Sequence, residues 1–267
     1  MKRKGWIAVT FICLLLSFLL LFYFRNVHIS DYTKVFENVV DSPAVQKIRV
    51  GTYNIKSLNM GEGLDSFTKE MSSLFVDVVC LQEVDQNASR SHRLDMVKSM
   101  AQAAGYPYYY FFPSMWMVDG YYGLGILSRY PLIKVSSMRL PNGWMSEPRI
   151  LVQADILIGD RVLHIYNTHV SYKDREMRKK QVAFIGEYLK GKKDTILMGD
   201  FNIFSDADFF DIENMHSINR ADQHFITFRD FGFPDNIFYS DNLQAMQADV
   251  LSSAFSDHNF LYCDIRL

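Results

Sequence analysis

Short apolar runs of strand length recur from residue 47 to the C-terminus, and no other feature constrains the fold as tightly. They lie at Ile48–Ile55, Phe75–Val84, Tyr108–Phe112, Gly125–Ser128, Ile150–Ile158, Val162–Thr168, Thr195–Phe201, Ile237–Ser240 and Asn259–Ile265. Each is rich in β-branched and aromatic residues and ends at polar, Gly or Pro punctuation. Helical periodicity is confined to Leu64–Leu74, Ser91–Ala104 (stopped by Gly105 and Pro107) and Asp174–Leu189 (stopped by Gly191). Many strands with few helices between them predict an α/β chain of packed sheets flanked by helices. Residues 47–267 hold no internal repeat, low-complexity tract or Pro/Gly-rich boundary, so they are expected to form one domain.

Ahead of that domain, Trp6–Phe24 carries no charge over 19 residues. At ~1.5 Å per residue a helix there is about 28 Å long, close to a bilayer's hydrocarbon thickness. A cleavable signal would end in small residues, whereas this run ends Phe22, Tyr23, Phe24, Arg25, and Cys13 after Thr10, Phe11 and Ile12 is a poor lipid-attachment site. The reading is an uncleaved transmembrane anchor at 6–24. Lys2, Arg3 and Lys4 precede it while only Arg25 follows closely. That bias predicts residues 1–5 in the cytoplasm, a single pass through the cell membrane, and everything after it outside. Residues 25–46 read as a juxtamembrane linker or a short helix.

The formal charge of −2 conceals this asymmetry: without Lys2, Arg3, Lys4 and Arg25, 24 basic residues face 30 acidic ones. A general affinity for polyanions is therefore not expected. Cys13, Cys80 and Cys263 are an odd, scattered set without the spacing of a zinc site or redox dithiol.

Residues two apart in a strand share a face, so each run can be asked which polar residue continues its apolar phase. Ile48 and Val50 lead to Asn54; Val79 and Leu81 to Glu83; Leu163 and Ile165 to Asn167 and His169; Ile196 and Met198 to Asp200 and Asn202. In each case the polar group closes a row that reads as inward-facing, where an unpaired polar side chain costs several kcal/mol. Asp257 and His258 stand just before the last strand and reach the same edge if that strand runs antiparallel. A lone Asn or Asp at a strand end is ordinarily a turn former, and His28, His92, His164, His216 and His224 read as surface or core groups. The joint pattern is what points to one shared site. Its donors are oxygen-rich and include no thiolate, which suits Mg²⁺, with Mn²⁺ the alternative, and an anionic substrate such as a phosphate ester.

The ordered strings GTYNI around Asn54, LQEVD around Glu83, GILSRYPL at 125–132, NTHV around His169, MGDFN at 198–202, PDNIF around Asp235 and SDH at 256–258 together resemble the endonuclease/exonuclease/phosphatase superfamily. That resemblance covers residues 47–267. It implies a four-layer α/β sandwich, two central, mostly antiparallel sheets covered by helices, with the site at one edge. It further implies that Asn54 and Glu83 hold Mg²⁺, with Asp257 contributing directly or through water. Asp200 would orient or deprotonate the attacking water, with His258 the rival base. Asn202 would steady that water and the phosphoryl oxygens, Asp235 would pair with His258, and His169 would bind the scissile phosphate. Asn236 departs from the aromatic residue or His common in the family after the residue matched by Asp235. A catalytically silent binding module on this fold would have lost a metal or base residue, and none is lost.

For substrate, the aromatic segment 105–123 reads mainly as sheet packing, but Met115, Trp116, Met117 and Val118, between Pro113 and Asp119-Gly120, read as an apolar loop tip. Lipid contact is the first reading of that tip; core burial and base stacking are its rivals. Lys173–Lys180 is interleaved with acids and reads as a solvated helix face. Arg149, in Glu-Pro-Arg at a strand start, reads as a salt-bridge partner, with a phosphate contact the alternative. The function that follows is membrane-tethered, Mg²⁺-dependent hydrolysis of a phosphate ester of a phospholipid or inositol-phosphate type. An extracytoplasmic nuclease is the runner-up.

Overall fold

The computed structural model describes residues 2–37, 40–143 and 146–267; the side chains of 2–6, 8, 9 and 22–28 lie outside what it describes. Thirteen strands form two sheets. The first comprises β1 (Tyr32–Val35), β6 (Leu132–Arg139), β7 (Ile150–Ile158), β8 (Arg161–His169), β9 (Thr195–Asp200), β11 (Asp235–Ser240) and β10 (Met215–Ser217), in that spatial order. The second comprises β12 (Gln244–Leu251), β13 (Phe260–Arg266), β2 (Lys47–Asn54), β3 (Val78–Gln86), β5 (Tyr121–Ser128) and β4 (Tyr108–Trp116). Pairing is antiparallel except for β2 with β3 and β8 with β9.

Alternation sorts the side chains into layers. Between the sheets lie Ile48, Val50, Val78, Cys80, Ile165, Ile196 and Met198. The other face of the second sheet buries Tyr53, Val79 and Leu81 under α3 (Leu64–Leu74) and α4 (Met96–Ala104). The far face of the first sheet buries Leu151, Tyr166 and Leu197 under α5 (Arg175–Leu189). Helix, sheet, sheet, helix is the four-layer order expected. Asp95 caps α4 by accepting from the Lys98 amide at 3.3 Å, which starts this helix at Met96 rather than at Ser91.

One polar pair ties the two sheets together inside this dry interior. Gln82 on β3 donates to Asn167 Oδ1 on β8 at 2.7 Å, and Asn167 donates in return to the carbonyls of Leu81 and Gly125 at 3.0 Å each. Both side chains are fully buried and paired, the condition under which polar groups are stable in a core. Close backbone contact accompanies this at Gly199, where a Cβ would sit 2.3 Å from the Thr168 carbonyl oxygen on the neighbouring strand. Gly199→Ala is expected to cost about 1–3 kcal/mol by overpacking, and a chemical-denaturation midpoint equal to that of the parent would refute it.

Two expectations need correction. Residues 25–46 are not a linker throughout: α1 (Lys2–Ile29) is followed by β1, which pairs antiparallel with β6, and Tyr32 and Phe36 pack against Tyr110. The segment 115–118 is mostly not a loop tip: Met115 and Trp116 continue β4 through Pro113, which an edge strand tolerates, and Val118 alone of the four is exposed. Finally, among the described residues no helix is long and apolar enough to cross a membrane. The anchor expected at 6–24 falls partly on side chains outside the described residues (6, 8, 9 and 22–24), as do Lys2, Arg3, Lys4 and Arg25 of the charge bias.

Candidate active site

The two parallel strand pairs end at the same edge of the sandwich, and their C-termini bring Asn54 and Glu83 from one sheet to His169 and Asp200 from the other. Asn54 continues the inward row of β2, as its phase requires. Glu83 arrives differently. Val79 and Leu81 face the helices, so an unbroken β3 would turn Glu83 outward. Pairing with β5 slips between Leu81 and Val84, and Glu83 adopts φ 57°, so a β-bulge re-aims its carboxylate into the site. Asn202 also has positive φ, 52°, as the chain turns off β9.

The Asn54 amide donates to Glu83 Oε1 and to Asp200 Oδ2, each at 3.0 Å. Asp200 Oδ1 accepts from the Asn202 backbone amide at 2.8 Å, and Asn202 Nδ2 donates to the Val170 carbonyl at 3.0 Å. His169 lies beside Asp200, with Nε2 3.4 Å from Oδ2. His258 Nδ1 donates to Asp235 Oδ2 at 2.9 Å, while its Nε2 faces Asp200 Oδ2 at 3.8 Å. Asp235 is the antiparallel register partner of Asp200, so β-pairing sets the spacing of the whole group. Seven of the eight sequence-derived residues thus lie in one connected cluster. The eighth, Asp257, lines the same cavity of about 740 Å³, with its carboxylate on Lys56 Nζ at 3.0 Å.

Burial disfavours charge throughout and the neighbours decide the outcome. It raises the Glu83 and Asp200 carboxyls; the Asn54 hydrogen bond pulls both back, and the His258 charge does so at Asp200. Burial, then the Arg149 and His258 charges, holds His169 well below the usual imidazole range, so it is neutral. At His258 burial acts the same way but is outweighed by Asp235 and Asp200, which hold the pKa up at about 9.

These donors fit a hard divalent cation. Glu83 and Asn54 offer oxygen ligands, and the Glu83 and Asp200 carboxylates share the neutral Asn54 amide, which leaves the Glu83 charge for an ion to compensate. Among the described residues the tightest His/carboxylate group is Asp200, Asp235 and His258, within 4.8 Å of one another. That group compensates itself, because a protonated His258 has no lone pair to offer a metal.

Several further residues wall the cavity. Arg149 does form the expected ion pair, with Glu147 at 3.2 Å, yet it is also buried and lines the catalytic cavity. Tyr122, Lys56 and Phe228 join it there, with Phe228 edge-on to His258 at 5.0 Å between ring centres. The signal for Arg149 was its place just before β7, beside the end of β8. Phe228 had none, because the loop that carries it has no period. Asn236 is structural: its amide pairs with the backbone of Asn219 at 2.8 Å in both directions.

Solved structures share this fold. An endonuclease/exonuclease/phosphatase protein from Beutenbergia cavernae superposes with a TM-score of 0.68 at 19% identity, over 84% of this chain and 72% of that one. The mannosyl-6-phosphatase of Bacteroides thetaiotaomicron gives 0.62 at 17%, over 82% and 100%. The human Nocturnin catalytic domain, with a bound sulfate anion, gives 0.63 at 22%, over 85% and 96%. No curated protein sequence matches. Residues 51–258, which carry all eight site residues, match the model of the Endonuclease/Exonuclease/phosphatase family, and the chain therefore belongs to that family of metal-dependent phosphoester hydrolases.

Proposed function

We propose that the protein hydrolyses a phosphate ester by attack of a water that Asp200 orients, and that the ester is a phospholipid or inositol-phosphate-type head group. The reading is carried by one observation, the meeting of Asn54, Glu83, His169, Asp200, Asn202 and His258 from both sheets around a single cavity. Glu83 and Asn54 would hold Mg²⁺, or Mn²⁺ in its place, with Asp257 contributing through water; bound there, the ion neutralises charge on the phosphoryl oxygens. Asp200 is the better base, because burial lifts its pKa toward neutrality while His258 is kept protonated. Neutral His169 and cationic His258 both offer N–H groups, and Asn202 an amide, to the oxygens on which charge develops. Asp235 keeps His258 charged and aimed.

The tether belongs to the same proposal: N-terminus cytoplasmic, catalytic domain outside, on the charge bias of the sequence and the exposed apolar side chains of α1. Protease added to intact cells then removes the domain, and full protection refutes the orientation. A second reading, nuclease action, is favoured by the aromatic side chains of Phe228, Phe204 and Tyr172 beside Lys56 and Lys173 at the cavity mouth. Purified protein given mixed liposomes or plasmid DNA is expected to release head group or phosphate with Mg²⁺ and to stop in a chelator. Nicked plasmid with untouched lipid reverses the order of the two readings.

A further inference from the structure

The chain enters the domain at the catalytic end of the sandwich. Tyr32, the first residue of β1, pairs with Ser137, which pairs with Val152, which pairs with Asn167. Asn167 is two residues from His169 on the strand that ends at the active site. Between α1 and β1 stand only Ser30 and Asp31, and Ser30 is buried with its carbonyl accepting from Ser137 Oγ at 2.9 Å. The helix is thus joined to the catalytic edge without slack.

On α1, every described side chain from Ile7 to Leu21 is exposed. Leu14, Leu15 and Leu16 point in directions about 100° apart, and Leu19, Leu20 and Leu21 do the same. A protein groove covers one face of a helix; a helix apolar on all sides is covered only by an apolar medium. The same end of the domain carries Met60, exposed on α2 (Lys56–Gly61) directly after β2, and Val118, Tyr172, Phe204 and Phe231, exposed in four separate loops that follow β4, β8 and β9 or precede β11. Lys56, Lys173 and Arg229 stand among them, as anionic head groups require.

We propose that the catalytic end of the sandwich faces a lipid surface, with α1 seated in the lipid and the rim tips of Val118 and Phe231 in its interfacial layer, so that the cavity opens onto head groups. The proposal rests on the functional reading above only for the identity of the reaction; the orientation stands on strand register and exposure.

The test uses the full chain in vesicles of phosphatidylcholine and phosphatidylglycerol, with Cys13→Ser removing the one exposed thiol, since Cys80 and Cys263 are buried. A polarity-sensitive fluorophore is placed at Val118→Cys or Phe231→Cys on the catalytic end, and at Val35→Cys or Phe75→Cys on the opposite end. The protein floats with the vesicles, and labels at 118 and 231 shift to the blue and lose roughly half their emission to a quencher carried on the lipid, the depth expected of interfacial side chains. Labels at 35 and 75 do neither. Equal quenching at both ends, or none at 118 and 231 in floated protein, overturns the orientation. Protein that fails to float overturns the lipid, and the same shifts produced by single-stranded DNA without vesicles assign the face to nucleic acid. The expected quenching pattern without head-group release leaves this inference standing and removes the substrate assignment.

Discussion

Asp200→Asn lowers kcat by about 10³-fold, the usual worth of a positioned base, while the protein keeps its fold. The carboxylate is buried and its charge is opposed by burial, so the isosteric amide removes an expensive charge. Its single oxygen can still accept from the Asn202 backbone amide, the bond now made by Oδ1, while the bond from Asn54 Nδ2 to Oδ2 is given up. What the amide cannot do is take a proton from water. Glu83→Gln is the companion change: it keeps shape and removes the ligand charge, so hydrolysis is lost and higher Mg²⁺ restores part of it, whereas Asp200→Asn does not respond to Mg²⁺. Turnover assays across a Mg²⁺ series, with melting temperatures alongside, check both. Parent-like turnover by Asp200→Asn would remove the carboxylate from the chemistry.

The second large effect is on stability. His258 has its pKa raised from 6.5 to about 9 in the folded protein. A raised folded pKa means that the native state binds the proton more tightly than the unfolded chain. The resulting stability is fully present below pH 6.5 and lost as pH rises through about 9, and the shift is worth roughly 3 kcal/mol. Asp200 acts in the same sense but in another window: its raised pKa means that stability falls as pH rises through the acid range above its ordinary 3.8. The loss between neutrality and pH 9 is therefore assigned to the His258–Asp235 pair, since the buried thiols of Cys80 and Cys263 and the buried tyrosines, also pushed up by burial, add their losses only above it. Denaturant unfolding in a chelator at pH 6.5 and at pH 9 measures it, and Asp235→Asn is expected to flatten the difference. A parent protein equally stable at both values would show that the imidazole is not held charged.

The layers of this fold were legible because they are set by apolar alternation, which the sequence prints directly. β2, β3, β8 and β9 are buried on both faces and read as continuous apolar runs. β6 and β12 carry no continuous apolar run: Leu132–Arg139 and Gln244–Leu251 mix Lys, Ser, Gln and Asp with their apolar residues, and half of β12 faces water. β1 was hidden in what read as a linker, since four residues on an edge carry too little pattern to be seen. Glu83 is the instructive case. The right residue was chosen from a phase that the structure contradicts, and only the bulge between Leu81 and Val84 makes it a site residue. A bulge adds a residue to one strand without a consistent mark in composition, so alternation cannot reveal it. The contacts Lys56–Asp257 and Phe228–His258 join loops about 200 and 30 residues apart in the chain, and are fixed by the folded edge rather than by local pattern.

The Gln82–Asn167 clasp has a consequence for how this enzyme can fail. Its reacting groups are divided between two leaves, Asn54 and Glu83 on one and His169 and Asp200 on the other, so the spacing of the leaves is the gauge of the active site. The clasp acts as the rivet of a pair of pliers just behind the jaws. Loosening it widens the bite while every catalytic atom remains chemically intact, and a change of that kind damages catalysis as surely as deleting a carboxylate.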